Sequence, residues 1–199
     1  MTFMKQTIFI VGGAGYVGEM LCEQLGKRED VEAIVTLDKE PQSEYSKALP
    51  KVTYIQANMA DTDWQEKVAA FSPTTVIHTA WQIRAMYGEA EKEWHWNVDG
   101  SNNVFNFAFA TSSVDKLIYF STASSYGARP DNRIDHRFTE IEGFRPDDYI
   151  YAKEKRVTED NLKSLFDAKK AAGEGTPQVF VVRPAAITGP RGRFMRIRF

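Results

Sequence analysis

The chain has 199 residues, a formal net charge of −2 and 43% hydrophobic residues, a composition typical of a soluble globular domain. The near-neutral charge argues against a nucleic-acid-binding protein, because phosphate neutralisation requires a basic face. The single cysteine, Cys22, excludes an intrachain disulfide, and neither a signal-peptide layout nor a membrane-length apolar run is found. We therefore expect a cytoplasmic protein without nucleic-acid or membrane partners.

Short runs of β-branched residues alternate along the chain with longer helical patterns. The predicted strands are Thr7–Val11, Ala33–Leu37, Val52–Gln56, Thr75–His78, Lys116–Phe120 and Gln178–Arg183. The predicted helices are Tyr16–Lys27, Thr62–Phe71, Glu91–Thr111 and Tyr149–Lys170. This alternation predicts an α/β fold, a doubly wound Rossmann-type parallel sheet of about six strands with helices on both faces.

A glycine-rich segment, GGAGYVG, lies between the first predicted strand and the first predicted helix. Its glycines, Gly12, Gly15 and Gly18, would let backbone N–H groups approach a pyrophosphate at the start of the helix. Asp38 ends the second strand, where its carboxylate could accept hydrogen bonds from both ribose hydroxyls of an adenosine. The same carboxylate would repel a 2′-phosphate, so the pattern favours NAD over NADP.

The segment RPDDYIYAKEKR contains two Tyr-x-x-x-Lys pairs, Tyr149 with Lys153 and Tyr151 with Lys155. Both pairs fit one face of a helix. The stripe that continues from the first pair is mostly polar, whereas the stripe from the second turns toward a core through Thr158, Leu162, Leu165 and Phe166. A catalytic pair must face the cofactor groove, so we predict that Tyr151 and Lys155 form it.

The chemistry of proton transfer requires these two residue types together. A free tyrosine hydroxyl has a pKa near ~10, which is too high for a base at neutral pH. A lysine ammonium close by lowers that pKa, because it favours the phenolate. Tyr151 could then take the proton from a substrate hydroxyl while a hydride leaves the same carbon, or return a proton in the reverse direction.

The sequence resembles the extended short-chain dehydrogenase/reductase family, in particular its NAD-dependent epimerase/dehydratase group. Five segments carry the resemblance in the expected order: GGAGYVG, VIHTAW, NVDGSNNVF, FSTASSYG and VVRPAAITGPRG. The segment YAKEKRVTE is similar to the Y-x-x-x-K-x-x-x-E helix of the family, which supports Tyr151 and Lys155 as the catalytic pair.

The resemblance also implies roles for other residues. Thr122 would bind and orient the substrate oxygen, and Lys155 would hold the nicotinamide ribose. The residues implied to bind the cofactor are Gly12, Gly15, Tyr16, Val17, Gly18, Asp38, Asn58, Met59, Thr79, Ala80, Asn97, Tyr151, Lys155 and Pro184. Weaker candidates for substrate contact are Trp81, Ser124 and Arg191. We propose no metal site, because His95 and His136 have no companions at metal-ligand spacing.

By resemblance, the function is that of an NAD-dependent epimerase or dehydrogenase, which reversibly oxidises a hydroxyl-bearing carbon, with a nucleotide sugar as the expected substrate. A sugar 4,6-dehydratase is disfavoured, because Ala123 and Ser124 stand where those enzymes carry an Asp-Glu pair. Two alternatives stay open, a carbonyl reductase for a hydrophobic alcohol or ketone and a non-catalytic NAD-binding module.

Relatives in this family continue with a small C-terminal domain that supplies most substrate contacts. We therefore expect residues 1–199 to form one NAD-binding Rossmann domain in which that second domain is absent or truncated. A homodimer is one way in which the missing contacts could be supplied.

Overall fold

The computed structural model describes residues 5–84, 86–127, 129–145 and 150–189. A single parallel sheet contains all six predicted strands, in the order β3-β2-β1-β4-β5-β6. The strands are β1 Gln6–Val11, β2 Val31–Asp38, β3 Val52–Gln56, β4 Thr75–His78, β5 Lys116–Phe120 and β6 Gln178–Val182. The predicted doubly wound α/β fold is therefore confirmed.

The helices follow the predicted order with two differences. They are α1 Tyr16–Gly26, α2 Glu44–Lys47, α3 Gln65–Ala69, α4 Ala90–Trp94, α5 Gly100–Ala110 and α6 Ile150–Ala171. The short α2 was not predicted, although the Ser43 hydroxyl caps it by accepting a hydrogen bond from the Ser46 amide. The prediction of one helix over Glu91–Thr111 was wrong in detail, because a π-helical turn at His95–Asp99 separates α4 from α5. Of the helices in the described ranges, none is long and apolar enough to cross a membrane.

Side chains alternate between the two faces of the sheet and build a core on each side. On one face, Phe9 and Val11 of β1 pack with residues of α3, α5 and α6, including Trp64 just before α3. On the other face, Ile8 and Ile10 pack with residues of α1 such as Cys22. The prediction of helices on both faces is therefore confirmed.

The last strand is covered less well than the others. β6 lies at an edge of the sheet, and Phe180, Val181 and Val182 are exposed at 48%, 41% and 38% of their surface. Its neighbour β5, by contrast, buries Leu117 and Tyr119 completely. The exposed side chains of Phe180, Val181 and Val182 therefore form an apolar rim along the edge of the sheet.

The parallel arrangement brings the functional segments together. The strand order reverses between β1 and β4, so the chain crosses to opposite sides of the sheet from this point. Because the carboxyl ends of parallel strands lie at one edge, the segments after β1, β2, β3, β4 and β5 meet there. This edge is where doubly wound proteins bind ligands.

Candidate active site

The loop between β1 and α1 permits only glycine at its closest points. Gly12 has a φ of +97°, and a Cβ atom there would lie 2.6 Å from Oγ1 of Thr79 and 2.7 Å from the amide nitrogen of Ala80. A Cβ atom on Gly18 would lie 2.1 Å from the carbonyl oxygen of Gly12. Neither position has room for a side chain, so the backbone of the loop packs tightly between α1 and the end of β4.

The carboxylate at the end of β2 is tied to the same loop. Oδ2 of Asp38 accepts a hydrogen bond from the Ala14 amide at 3.0 Å, and Oδ1 accepts one from the Glu40 amide at 3.1 Å. Burial raises the pKa of the Asp38 carboxyl, and these two amides partly oppose the rise. Each oxygen keeps acceptor capacity for a ligand hydroxyl. The Lys39 ammonium contacts Glu40 at 2.6 Å and the ring of Trp96 at 4.6 Å from its centroid.

Beside Asp38 the sheet edge opens into a cleft. Its walls come from the ends of β1 and β2, from the segments after β3 and β4, and from the π turn. The lining residues are Val11, Leu37, Asp38, Lys39, Ala57, Asn58, Met59, Ala80, Trp81, Gln82, Trp96 and Asn97. Lys39, Gln82 and Trp96 were not among the predicted site residues, and their only signal in the sequence is that each adjoins a predicted one.

Several predicted cofactor residues shape this cleft through backbone contacts. The Asn58 side chain accepts a hydrogen bond from the Ala60 amide at 3.0 Å and so closes the turn after β3. The Thr79 hydroxyl donates to the Val11 carbonyl at 2.9 Å, which ties the end of β4 to β1. Met59 is buried under α5, where a Cβ atom on Gly100 would lie only 2.8 Å from its Cγ. Tyr16 and Val17 form the first turn of α1.

Asn97 connects the loop after β4 to α6. It lies fully buried in the π turn, and its Oδ1 accepts a hydrogen bond from the Gln82 amide at 2.7 Å. Its Nδ2 donates to the Gln82 carbonyl at 3.2 Å and to Oε2 of Glu154 at 2.8 Å. Burial raises the pKa of Glu154, and the hydrogen bond from Asn97 opposes that rise. The Asn97 side chain, which was predicted to bind the cofactor, is thus hydrogen-bonded within the protein and stabilises the wall of the cleft.

Tyr151 and Lys155 lie together on the inner face of α6. Lys155 is 2% exposed, and its ammonium donates to the Phe120 carbonyl at 2.7 Å and lies 3.6 Å from the centroid of the Trp81 ring. The half-buried ring of Tyr151 meets the same indole edge-to-face at 6.2 Å. Burial lowers the pKa of Lys155 well below its usual range.

The positions of the residues on α6 bear on the choice between the two Tyr-Lys pairs. The predicted burial of the stripe that contains Lys155 is confirmed, because Thr158 and Leu162 are also buried. Lys153 is exposed, and Tyr149 lies outside the described residues. Of the residues that the structure describes, Tyr151 and Lys155 lie on the inner face of α6, and their assignment as the catalytic pair stays a prediction.

Thr122 lies directly after β5, at the start of a 3-10 turn over Ala123–Tyr126. Its buried hydroxyl oxygen accepts a hydrogen bond from the Ser124 amide at 3.1 Å, which leaves the hydroxyl proton available for donation. The Pro184 carbonyl accepts from the Ala123 amide at 2.9 Å and so holds this turn against the segment after β6. Ser124 is exposed on the turn, and Arg191 lies outside the described residues.

An arginine after β6 joins three parts of the site region. Arg183 donates two hydrogen bonds to the Glu159 carboxylate, at 2.6 and 3.1 Å, one turn beyond Lys155 on α6. It also donates to the Tyr126 hydroxyl at 2.8 Å, which belongs to the 3-10 turn after β5. The guanidinium thereby fixes α6 relative to the segment that carries Thr122.

His78, the histidine near the site, lies in the protein core. His78 is fully buried at the end of β4, with its Nε2 2.8 Å from the Ser101 hydroxyl. Burial lowers its pKa well below the usual range, so its ring is neutral. Within the described ranges, no group of three or more His, Cys, Asp and Glu side chains is placed to hold a metal ion.

These features fit a dinucleotide. The glycine loop brings backbone close to the start of α1, where a helix favours a negatively charged phosphate. Asp38 offers acceptors for ribose hydroxyls, and the cleft offers an apolar wall beside it. Thr122 follows β5, and Tyr151 and Lys155 lie on α6. All three are on the other side of the β1–β4 crossover, where the reactive end of an extended dinucleotide would lie.

Comparisons with known proteins identify what this chain is similar to. The sequence model described as the NAD dependent epimerase/dehydratase family matches residues 8–197. The 2-alkyl-3-oxoalkanoate reductase of Stenotrophomonas maltophilia is 24% identical over 194 residues, which are 92% of this chain and 51% of the reductase. The 3 beta-hydroxysteroid dehydrogenase/Delta 5→4-isomerase of Vaccinia virus is 26% identical over 195 residues, or 94% of this chain and 54% of that protein.

A solved structure gives the same picture. The Bordetella bronchiseptica enzyme WbmG, in complex with NAD and UDP, superposes with a TM-score of 0.75 at 26% identity. The match covers 94% of this chain and 55% of WbmG. The chain thus spans about half the length of the relatives it matches.

Proposed function

The chain belongs to the NAD dependent epimerase/dehydratase family, and we propose on this premise that its site reversibly oxidises a hydroxyl-bearing carbon of a nucleotide sugar. NAD is the cofactor of this family, as the glycine loop and Asp38 had predicted. The observation that carries the proposal is that Tyr151 and Lys155, on the inner face of α6, both pack against the indole of Trp81, which lines the cleft.

Each residue of the site has a defined task in this proposal. When bound, NAD would accept a hydride from the substrate carbon. Tyr151 takes the proton of the substrate hydroxyl as general base, and the ammonium of Lys155 lowers the pKa of its phenol. Thr122 donates its hydroxyl proton to the substrate oxygen and orients it. Asp38 accepts from the adenosine ribose, and the first turn of α1 receives the diphosphate.

One observation supports a nucleotide sugar as the substrate, and a second concerns the type of reaction. The structure of WbmG, which shares the fold over most of this chain, is a complex with both NAD and UDP. The segment after β5 carries Ala123 and Ser124, so it offers no carboxylate pair for eliminating water. Oxidation, or epimerisation by oxidation and re-reduction, is therefore favoured over dehydration.

A second candidate is the oxidation or reduction of a hydrophobic alcohol or ketone. The reductase and the hydroxysteroid dehydrogenase named above resemble this chain as closely in sequence as WbmG does. The indole rings of Trp81 and Trp96 in the cleft also present apolar surface. Both candidates use the same three residues, so only substrates separate them.

The test replaces Tyr151 by Phe and compares it with Tyr149→Phe as the matched control. NADH formation is followed with UDP-sugars and, separately, with long-chain or steroid alcohols. With UDP-sugars the formation of the epimeric sugar is measured as well, because epimerisation returns the hydride to the substrate and leaves no net NADH. We expect Tyr151→Phe to lose roughly 100-fold or more in kcat, the usual contribution of a general base, while the Kd for NAD changes less than about threefold. Tyr149→Phe should keep the activity.

Full turnover by the Tyr151→Phe variant would overturn the assignment. NAD binding without turnover on either substrate class would instead favour the third reading, a non-catalytic NAD-binding module.

A further inference from the structure

The ammonium of Lys155 is buried, and none of the described carboxylates forms an ion pair with it. Its one hydrogen-bond acceptor among the described contacts is the Phe120 carbonyl at 2.7 Å. The rest of its surroundings are aromatic, with the Trp81 ring centroid at 3.6 Å and the Tyr119 ring centroid at 4.9 Å. A buried cation needs such compensation, because burial removes its hydration shell.

The charged and titratable groups around Lys155 come from every element packed against it. They are Tyr151, Glu154 and Glu159 on α6, His78 on β4, Tyr119 on β5 and Arg183 after β6. The two carboxylates favour the charged form from a distance, but each is engaged elsewhere. Glu154 accepts from Asn97 at 2.8 Å, and Glu159 accepts from Arg183 at 2.6 Å.

We propose that Trp81 is a positioning residue of the reaction, whose indole face holds the Lys155 ammonium charged and in place beside Tyr151. Tryptophan provides the strongest cation–π partner among the aromatic side chains, and the interaction gains strength where water is excluded. The same indole packs against the Tyr151 ring at 6.2 Å, so one side chain touches both members of the pair. This inference rests on the proposed function, because it assigns the ammonium its effect on Tyr151.

The backbone around Trp81 holds the indole in this position. The neighbouring Gln82 is bound through both its amide and its carbonyl to the Asn97 side chain, at 2.7 and 3.2 Å. Asn97 in turn is bound to Glu154, which precedes Lys155 on α6. Loop and helix are therefore coupled at two points, by the amide network and by the indole itself.

Removing the indole should change the pKa of Lys155 first and that of Tyr151 as a result. Without the π face, the ammonium of Lys155 is less stabilised, so the lysine loses its proton at lower pH. Less positive charge then stands beside Tyr151, and the pKa of the phenol rises. The pH at which Tyr151 ionises should therefore move upward.

The experiment compares Trp81→Leu with Trp81→Phe in the full chain with NAD bound. Ionisation of Tyr151 is followed by ultraviolet difference absorbance against pH, with each variant's spectrum corrected by the same variant carrying Tyr151→Phe. We expect the midpoint in Trp81→Leu to rise by about one pH unit, a tenfold change in the ionisation constant. Trp81→Phe should rise by less, since its ring keeps a weaker π face.

The outcomes separate the two claims, because the titration needs no substrate. An upward shift of the midpoint in Trp81→Leu supports the role of Trp81. If the unsubstituted chain turns over no substrate, the proposed reaction is rejected while that role stands. An unchanged midpoint in folded Trp81→Leu, with turnover intact, overturns the role of Trp81. If Trp81→Leu does not fold, the decision falls to Trp81→Phe, in which an unmoved midpoint is the overturning result.

Discussion

At the end of β2, backbone hydrogen bonds hold the side chain of Asp38 in place. Two backbone amides, those of Ala14 and Glu40, fix its oxygens at 3.0 and 3.1 Å. An acceptor fixed in this way forms hydrogen bonds to ribose hydroxyls without further ordering of the side chain. Its negative charge, in the same position, opposes a 2′-phosphate.

This arrangement predicts the effect of Asp38→Asn. Loss of the charged acceptor should weaken NAD binding roughly 10- to 100-fold, the effect of one or two charge-assisted hydrogen bonds. It should also reduce the preference for NAD over NADP, because the charge that repels a 2′-phosphate is gone. Isothermal titration calorimetry with each dinucleotide measures both Kd values. Glu40→Gln is the control, because Glu40 lies at the surface in an exposed ion pair with Lys39. Unchanged NAD affinity in Asp38→Asn would contradict the proposed role.

Single residues differ in how far the sequence could place them. The inward face of Tyr151 and Lys155 could be predicted, because helical periodicity relates their positions to buried Leu162. Trp96 and Glu154 could not be predicted as they lie. A tryptophan and a glutamate on helices are usually assigned to the core and to the surface respectively, and only tertiary contacts place Trp96 at the cleft and bury Glu154.

Among the secondary-structure elements, the π turn is where helical periodicity gives the wrong answer. A regular helix over Glu91–Thr111 would turn each side chain by the same angle, but the wide turn at His95–Asp99 resets the direction. Asn97 then points to the loop after β4 and to α6 at once. The sequence analysis found no local signal for such a turn, and the hydrogen bonds of Asn97 within it go to residues distant in sequence.

The coupling of π turn and α6 predicts a pH-dependent loss of stability in Asn97→Ala. Without its amide donor, the buried Glu154 carboxylate is left with a pKa raised further above its unfolded value. A carboxyl group with a raised folded-state pKa contributes stability below the unfolded pKa, near ~4.3, and that stability is lost as the pH rises through the folded pKa. The variant should therefore lose roughly 1–3 kcal/mol, and more at pH ~8 than at pH ~5.

Urea unfolding at the two pH values measures this effect. Glu154→Gln, combined with Asn97→Ala, is the matched control, because it removes the titrating group and should abolish the difference between the two pH values. An equal loss at both pH values in the single variant would show that Glu154 does not carry the effect.

At the scale of the molecule, β6 has the least covering of the strands that the structure describes. Its exposed Phe180 and Val182 lie on an edge strand of a sheet whose central strands, β1 and β4, are largely buried. Exposed apolar edges of this kind favour association between chains. A charge on the rim should therefore suppress self-association with little effect on folding.

Phe180→Lys tests this expectation. It should reduce light scattering at high protein concentration while lowering the free energy of unfolding by less than about 1 kcal/mol. Leu117→Lys on the adjacent strand is the control, since Leu117 is fully buried and an unpaired buried charge costs about 3 kcal/mol or more. Scattering that is unchanged in Phe180→Lys would show that the rim does not drive association.

The topology of the whole molecule was predictable, whereas its covering was not. Apolar strands that alternate with helices leave few arrangements other than a parallel, doubly wound sheet, because crossovers are right-handed. The exposure of Phe180 had no such signal, since the run QVFVV has the composition of a strand that is buried on both faces. Whether other elements cover the faces of a strand depends on the tertiary structure, and the sequence of the strand alone does not show it.

The clamp formed by Arg183 has a consequence for the order in which the protein becomes competent during synthesis. The glycine loop, Asp38 and the cleft are all made from residues before position 101, whereas α6 is secured by a guanidinium contributed after β6. During synthesis from the N-terminus, the segments proposed to bind the cofactor leave the ribosome before the arginine that secures α6. The proposed pair Tyr151 and Lys155 can be fixed relative to Thr122 only once Arg183 has emerged, so the proposed acid–base chemistry should be the last function to form.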